Sequence, residues 1–153
     1  MLTHSLTRTI LTFGLGLGIL RIGIGIVAVL VSGPAILFES LPLAALLMAV
    51  MIAGMIYAGV QIRTQNGGLL TWGRASLSIF VIFALAGLLV VGYNALSFHV
   101  IQPEWLSGVP EAHLDRLEIS NGVYEYISSL ILGGLLALVF GYFLKREKVR
   151  VSG

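Results

Sequence analysis

Apolar residues along this chain fall into four long runs separated by short polar clusters. The first run extends from about Thr9 to Val31 and stops at Ser32-Gly33-Pro34, a helix-breaking cluster. The second opens at Ser40-Leu41-Pro42, where Ser40 is a natural N-cap and Pro42 fits the first helical turn, and it continues to about Ile62. A polar turn, Arg63-Thr64-Gln65-Asn66-Gly67-Gly68, precedes the third run, Trp72 to His99, and the fourth covers Ile119 to Leu144. Each run can cross a bilayer as a helix, which needs about 20 apolar residues. Helices are also the way a short chain satisfies its backbone hydrogen bonds in lipid. The pattern predicts an all-α fold: one transmembrane domain over residues 1–153, a four-helix bundle with spans at about 9–32, 40–62, 72–99 and 119–144.

Composition agrees. Hydrophobic residues make up 58% of the chain and charged residues 10%, where a soluble domain carries about a quarter charged. There is no cysteine, which excludes disulfides, thiolate metal sites and a cysteine nucleophile. Arg8 followed by an apolar run and Ser32-Gly33 has the outline of a secretory signal, but the run is long for a signal core and Arg21 interrupts it, so a retained span is expected.

The charges divide between the two ends of the predicted bundle. Arg8, Arg63, Arg74 and the cluster Lys145, Arg146, Lys148 and Arg150 fall on one side, while Arg116 stands on the other among Glu39, Glu104, Glu111, Asp115 and Glu118. By the positive-inside rule both termini and the Arg63 turn are expected on the cytoplasmic side of a bacterial inner membrane. Trp72 and Trp105 then sit at opposite interfaces. The loop from Pro103 through Leu117 interleaves apolar and acidic residues, predicting a short helix along the outer interface. The basic C-terminus reads as a topogenic anchor with affinity for anionic lipid as a by-product.

Arg21 sits alone among apolar residues. At about 100° per residue it shares a helix face with Gly14, Gly18 and Gly25, so it is expected to point into the bundle. Small residues at four-residue spacing let membrane helices approach closely, and Ala45, Ala49 and Ala53 in the second run and Gly133, Ala137 and Gly141 in the fourth offer matching surfaces. A lone charge near the midplane costs about 2.5 to 3.5 kcal/mol on insertion scales, which calls for a partner or water. Glu125 is the best carboxylate, and Asn94 with Tyr93, Tyr124, Ser128 and Ser129 could complete a polar pocket. Arg21, Asn94 and Glu125 are therefore the candidate intramembrane site, read either as a structural pair or as a ligand or ion site.

No catalytic chemistry is announced. His4, His99 and His113 are scattered without metal-ligand spacing, and Glu111 and Asp115 would share a helix face with His113 turned away. Gly14-Leu15-Gly16-Leu17-Gly18 follows no strand and lies within an apolar span, which excludes a dinucleotide fingerprint. Asn66-Gly67-Gly68 lacks the lysine and the length of a phosphate-binding loop.

The turn between the second and third runs carries a resemblance. Gly59-Val60, Arg63, Asn66-Gly67-Gly68 and Leu70-Thr71-Trp72-Gly73-Arg74-Ala75 resemble the signature of the domain-of-unknown-function family 4199, small bacterial integral membrane proteins with four helices. The likeness covers most of the chain in layout, with Arg63, Gly67, Gly68, Trp72, Gly73 and Arg74 matching the order of the family's basic turn. The turn before Gly67 and the outer loop are shorter than is usual there, and Arg21 matches no family position. The resemblance implies the four-span topology and a retained first span, and it brings no activity.

Two functional expectations follow. The first is a non-enzymatic structural or accessory membrane component, with the bilayer and a second copy or another membrane protein as partners, no cofactor, no metal and no nucleic acid. The second is a small transporter, channel or ligand sensor built on Arg21, Asn94 and Glu125. A glycine stripe left facing lipid favours the first, and a cavity reaching Arg21 the second.

Overall fold

The computed structural model describes residues 2–97, 100, 104–109, 111 and 119–145. Its helices are α1 (Leu2–Ser32), the single turn α2 (Ile36–Glu39), α3 (Leu41–Gln65), α4 (Trp72–Leu96) and α5 (Ile119–Leu144), with a 3-10 turn at Glu104–Gly108. Four of these, α1, α3, α4 and α5, are long and apolar enough to cross a membrane. The protein is an all-α membrane protein of four spans. The 3-10 turn stands at the start of the loop for which an interfacial helix is expected; residues 112–118, the side chains of Trp105 and Glu125, and residues 146–153 lie outside the described residues.

Local signals place the ends of these helices. Ser40 caps α3 as expected, its Oγ accepting from the N–H of Leu43 at 3.2 Å, and Pro42 occupies the first turn, where no backbone donor is needed. At the other end of α3 the N–H of Gly68 donates to the carbonyl of Arg63 at 2.9 Å and that of Gly67 to Thr64 at 3.1 Å. This nested pair is a Schellman motif, and it requires the left-handed backbone at Gly67, φ +68°, which glycine adopts without penalty. Gly68 follows at φ +82° and the chain re-enters the bundle through the buried Leu70. The helix α1 begins well before Thr9. Its polar first turns continue the helix beyond the apolar run, and Ser5 and Thr9 find side-chain partners on α3.

The spans pack around α4. Its most extensive contacts are with α5 and then α1; α1 packs on α3, and α3 touches α4 and α5 more lightly. Met55, Ile62, Ile79 and Ile82 are the largest fully buried side chains, and all come from α3 and α4. Glycines make the close approaches. A Cβ on Gly14 would lie 2.8 Å from Leu85, and one on Gly18 2.8 Å from Leu89, so α1 seats its Gly14 and Gly18 face on α4. Gly133 of α5 receives the ring of Phe83, Gly141 receives Ser76, Gly54 of α3 receives Leu17, and Gly59 receives Leu144. In lipid the tails are as apolar as leucine, so intimate packing of this kind replaces the hydrophobic drive.

The second-run alanines do something else. Ala45, Ala49 and Ala53 are exposed, while Met51, Met55, Ala58 and Ile62 on the opposite side of α3 are buried. A stripe read from the sequence as a packing face within the bundle faces outward. The inward approach of α3 is made by Gly54 and Gly59, one and six residues beyond Ala53.

A polar groove at the basic end of the bundle

The described spans alternate in direction, so Arg8, Arg63, Arg74 and Lys145 share one end of the bundle. A groove of about 720 Å³ opens there between α1 and α3. From α1 it takes Ser5, Arg8, Thr9 and Thr12, four polar residues that recur every three or four positions and so form one helical face. From α3 it takes Tyr57, Gln61 and Gln65, again at four-residue spacing. Gln65 Oε1 accepts from Ser5 Oγ at 3.3 Å and from Thr9 Oγ1 at 2.9 Å, and Gln61 Nε2 donates to Tyr57 Oη at 3.1 Å. Phe13 closes the inner end against the Tyr57 ring, edge to face at 5.7 Å between centroids. The two helices are thus joined by polar contacts at one end and by Leu17 on Gly54 deeper in the membrane.

A second groove, about 490 Å³ and almost wholly apolar, runs along the outer seam of α4 and α5 past Trp72, Phe80, Gly134 and Leu138. Trp72 Nε1 donates to the carbonyl of Leu138 at 3.1 Å, latching the first turn of α4 to α5. Near the other end of the seam Tyr126 Oη donates to the carbonyl of Ala84 at 2.9 Å.

Arg21 is half-buried on the face of α1 that carries Gly14 and Gly18. Asn94 is exposed and lies seven residues after Gly87, hence on the face of α4 that Gly87 turns toward Tyr126 of α5. No hydrogen bond joins Arg21 to Asn94 among the described residues, and neither groove includes Arg21. Tyr124 is 72% exposed and Ser128 is exposed, while Ser129 Oγ donates to the carbonyl of Tyr126 at 2.7 Å. The side chain of Glu125 lies outside the described residues. Among the described residues no three His, Asp or Glu side chains lie close enough to share a metal ion.

Of the basic turn, Gly67 and Gly68 shape the backbone, Trp72 makes the latch, and Gly73, Arg74 and Lys145 are exposed. Lys145 Nζ sits 4.3 Å above the Tyr142 ring, a cation on an aromatic face at the bundle end. Residues 12–146 match the family described as "Protein of unknown function (DUF4199)". The chain belongs to the DUF4199 family. Comparison with curated proteins and with solved structures returned no match. The DUF4199 match spans all four helices and the basic turn, so family membership covers the fold and carries no chemistry with it.

Sequence reasoning missed the groove. Its signal was present as two polar helical faces, at Ser5, Arg8, Thr9 and Thr12 and at Tyr57, Gln61 and Gln65, each at the margin of an apolar run. Residues at the edge of a span read as ordinary interface, and only the antiparallel pairing of α1 with α3 sets the two faces against each other.

Proposed function

We propose that the protein is a non-enzymatic structural component of the membrane that associates side by side with a second copy through α3. The carrying observation is the outward stripe Ala45, Ala49 and Ala53, set on the side of α3 opposite its buried residues. Small residues one turn apart allow two helix backbones to approach closely, and a matched pair of such faces gains dispersion contacts that lipid tails cannot reproduce. The bundle uses the glycines of α1 and α5 for its own packing and leaves this face unused. The basic end is assigned to the cytoplasmic side of a bacterial inner membrane, because Arg8, Arg63, Arg74 and Lys145 gather there.

Disulfide trapping in native membranes tests the reading cleanly, because the chain has no cysteine of its own. Ala45→Cys, Ala49→Cys and Ala53→Cys should each cross-link into dimers on mild oxidation. Ile19→Cys on α1, a site 64% exposed, and Leu135→Cys on α5, 58% exposed, should not. Cross-linking that is absent at all five positions, or equal at all five, would remove the proposal.

A further inference from the structure

The hydrogen bonds inside the polar groove engage the Gln65 Oε1 and Tyr57 Oη acceptors and leave more donors than acceptors, the one amide oxygen left open being Gln61 Oε1. Gln65 Oε1 is engaged by two hydroxyls and Tyr57 Oη already accepts from Gln61. The Gln65 amide N–H groups, the Tyr57 O–H and the Arg8 guanidinium have no recipient among the described residues. Among the described residues no carboxylate lines the groove. A guanidinium beside neutral donors, with no acid among the described residues to satisfy it, suits an oxyanion, since charge-assisted hydrogen bonds are the strongest these groups make.

What lies beyond the groove identifies the kind of anion. The face of α1 that carries Ser5, Arg8, Thr9 and Thr12 continues along the helix to Gly16 and Gly23, and nothing lies within 4 Å of where a Cβ would stand at either glycine. Ile19 and Leu20 on the same face are 64% and 48% exposed. One line along the helix is thus donor-rich for its first turns and then smooth and apolar toward the membrane interior. That sequence of environments matches an amphiphile with its anionic head at the bundle end and its hydrocarbon alongside the glycines.

The geometry points to a binding site for the phosphodiester headgroup of an anionic phospholipid. The head is held by Arg8, Tyr57 and Gln65, and an acyl chain lies along Gly16 and Gly23. A free soluble phosphate ester would satisfy the same donors but would leave the apolar strip unused, and a zwitterionic lipid would bring its own cation toward Arg8. The inference is independent of the alanine face on α3.

Native mass spectrometry of the delipidated full chain in detergent, titrated with dioleoyl phosphatidylglycerol, dioleoyl phosphatidylcholine and glycerol 3-phosphate, tests it. One phosphatidylglycerol should bind in preference to the other two. Arg8→Gln should weaken that binding about tenfold, the scale of one lost charge-assisted contact. Tyr57→Phe, which removes only a hydroxyl and keeps the ring on Phe13, should weaken it by a smaller factor. Arg74→Gln, with its charge at the same end but outside the groove, should leave it unchanged. Equal losses in the Arg8 and Arg74 variants would mean diffuse attraction to a basic end and would overturn the site. Equal binding of the two lipids, or displacement of phosphatidylglycerol by an equimolar amount of glycerol 3-phosphate, would overturn it as well, the latter in favour of a soluble ligand.

Discussion

The second and third spans, α3 and α4, are both 25 residues long and of nearly equal hydropathy, yet they occupy different places in the bundle. Helix α4 is gripped on two sides: Leu85 and Leu89 meet the glycines of α1, and Phe83 and Ser76 meet those of α5. Helix α3 buries Met51, Met55, Ala58 and Ile62 along one side and turns Ala45, Ala49 and Ala53 outward. The difference lies in which residues oppose the small ones. Where a large side chain projects toward a glycine the contact closes inside the protomer. Where a small stripe meets no projecting neighbour, it remains available to another helix.

The hardest blow to this comparison is a branched side chain at Gly133, where even a Cβ collides with Phe83. Gly133→Leu should cost about 3 kcal/mol or more, read as loss of the folded bundle in a denaturation titration in detergent. Gly16→Leu, placed where nothing stands within 4 Å, should fold normally. Next comes the core of α4: Ile79 is fully buried, and Ile79→Ala should destabilise by about 2 kcal/mol through the cavity it leaves. Trp72→Phe keeps an aromatic ring, though a smaller one, and loses the donor to Leu138, and thermal unfolding should register a loss of about 1 kcal/mol. The smallest effect on the protomer belongs to the outward face. Ala49→Leu should change stability by no more than about 0.5 kcal/mol while suppressing the cross-link formed by Ala45→Cys. If Ala49→Leu unfolded the bundle as Gly133→Leu does, the two spans would not differ in the way described.

The legible part of the fold was the part governed by local chemistry. Ser40 and Pro42 announce the start of α3, and Asn66-Gly67-Gly68 announces its end, because a cap and a left-handed glycine are properties of a few adjacent residues. Leu2 to Arg8 are polar enough to look like a tail, yet α1 begins at Leu2, its first turns held by helical hydrogen bonds and by the contacts of Ser5 and Thr9 with Gln65. The Gly14 and Gly18 face was readable as a packing surface because periodicity alone puts small residues in line. The direction of the alanine line on α3 was not readable, since an identical spacing serves an inward or an outward face.

Apolar run length and the scarcity of charge within the runs were enough to specify four membrane helices, because runs this long and continuously apolar satisfy their backbone hydrogen bonds in hydrocarbon as helices. The sequence also determined which faces are small and which are polar. Only the tertiary structure decided how those faces are paired: the glycines of α1 and α5 against α4, the alanines of α3 against nothing in the protomer, and the hydroxyls of α1 against the amides of α3. The physical reason is that pairing depends on the rotation of each helix about its axis. That rotation is set by the fit of projecting side chains, such as Phe83 and Leu89, into glycine gaps far away in the sequence.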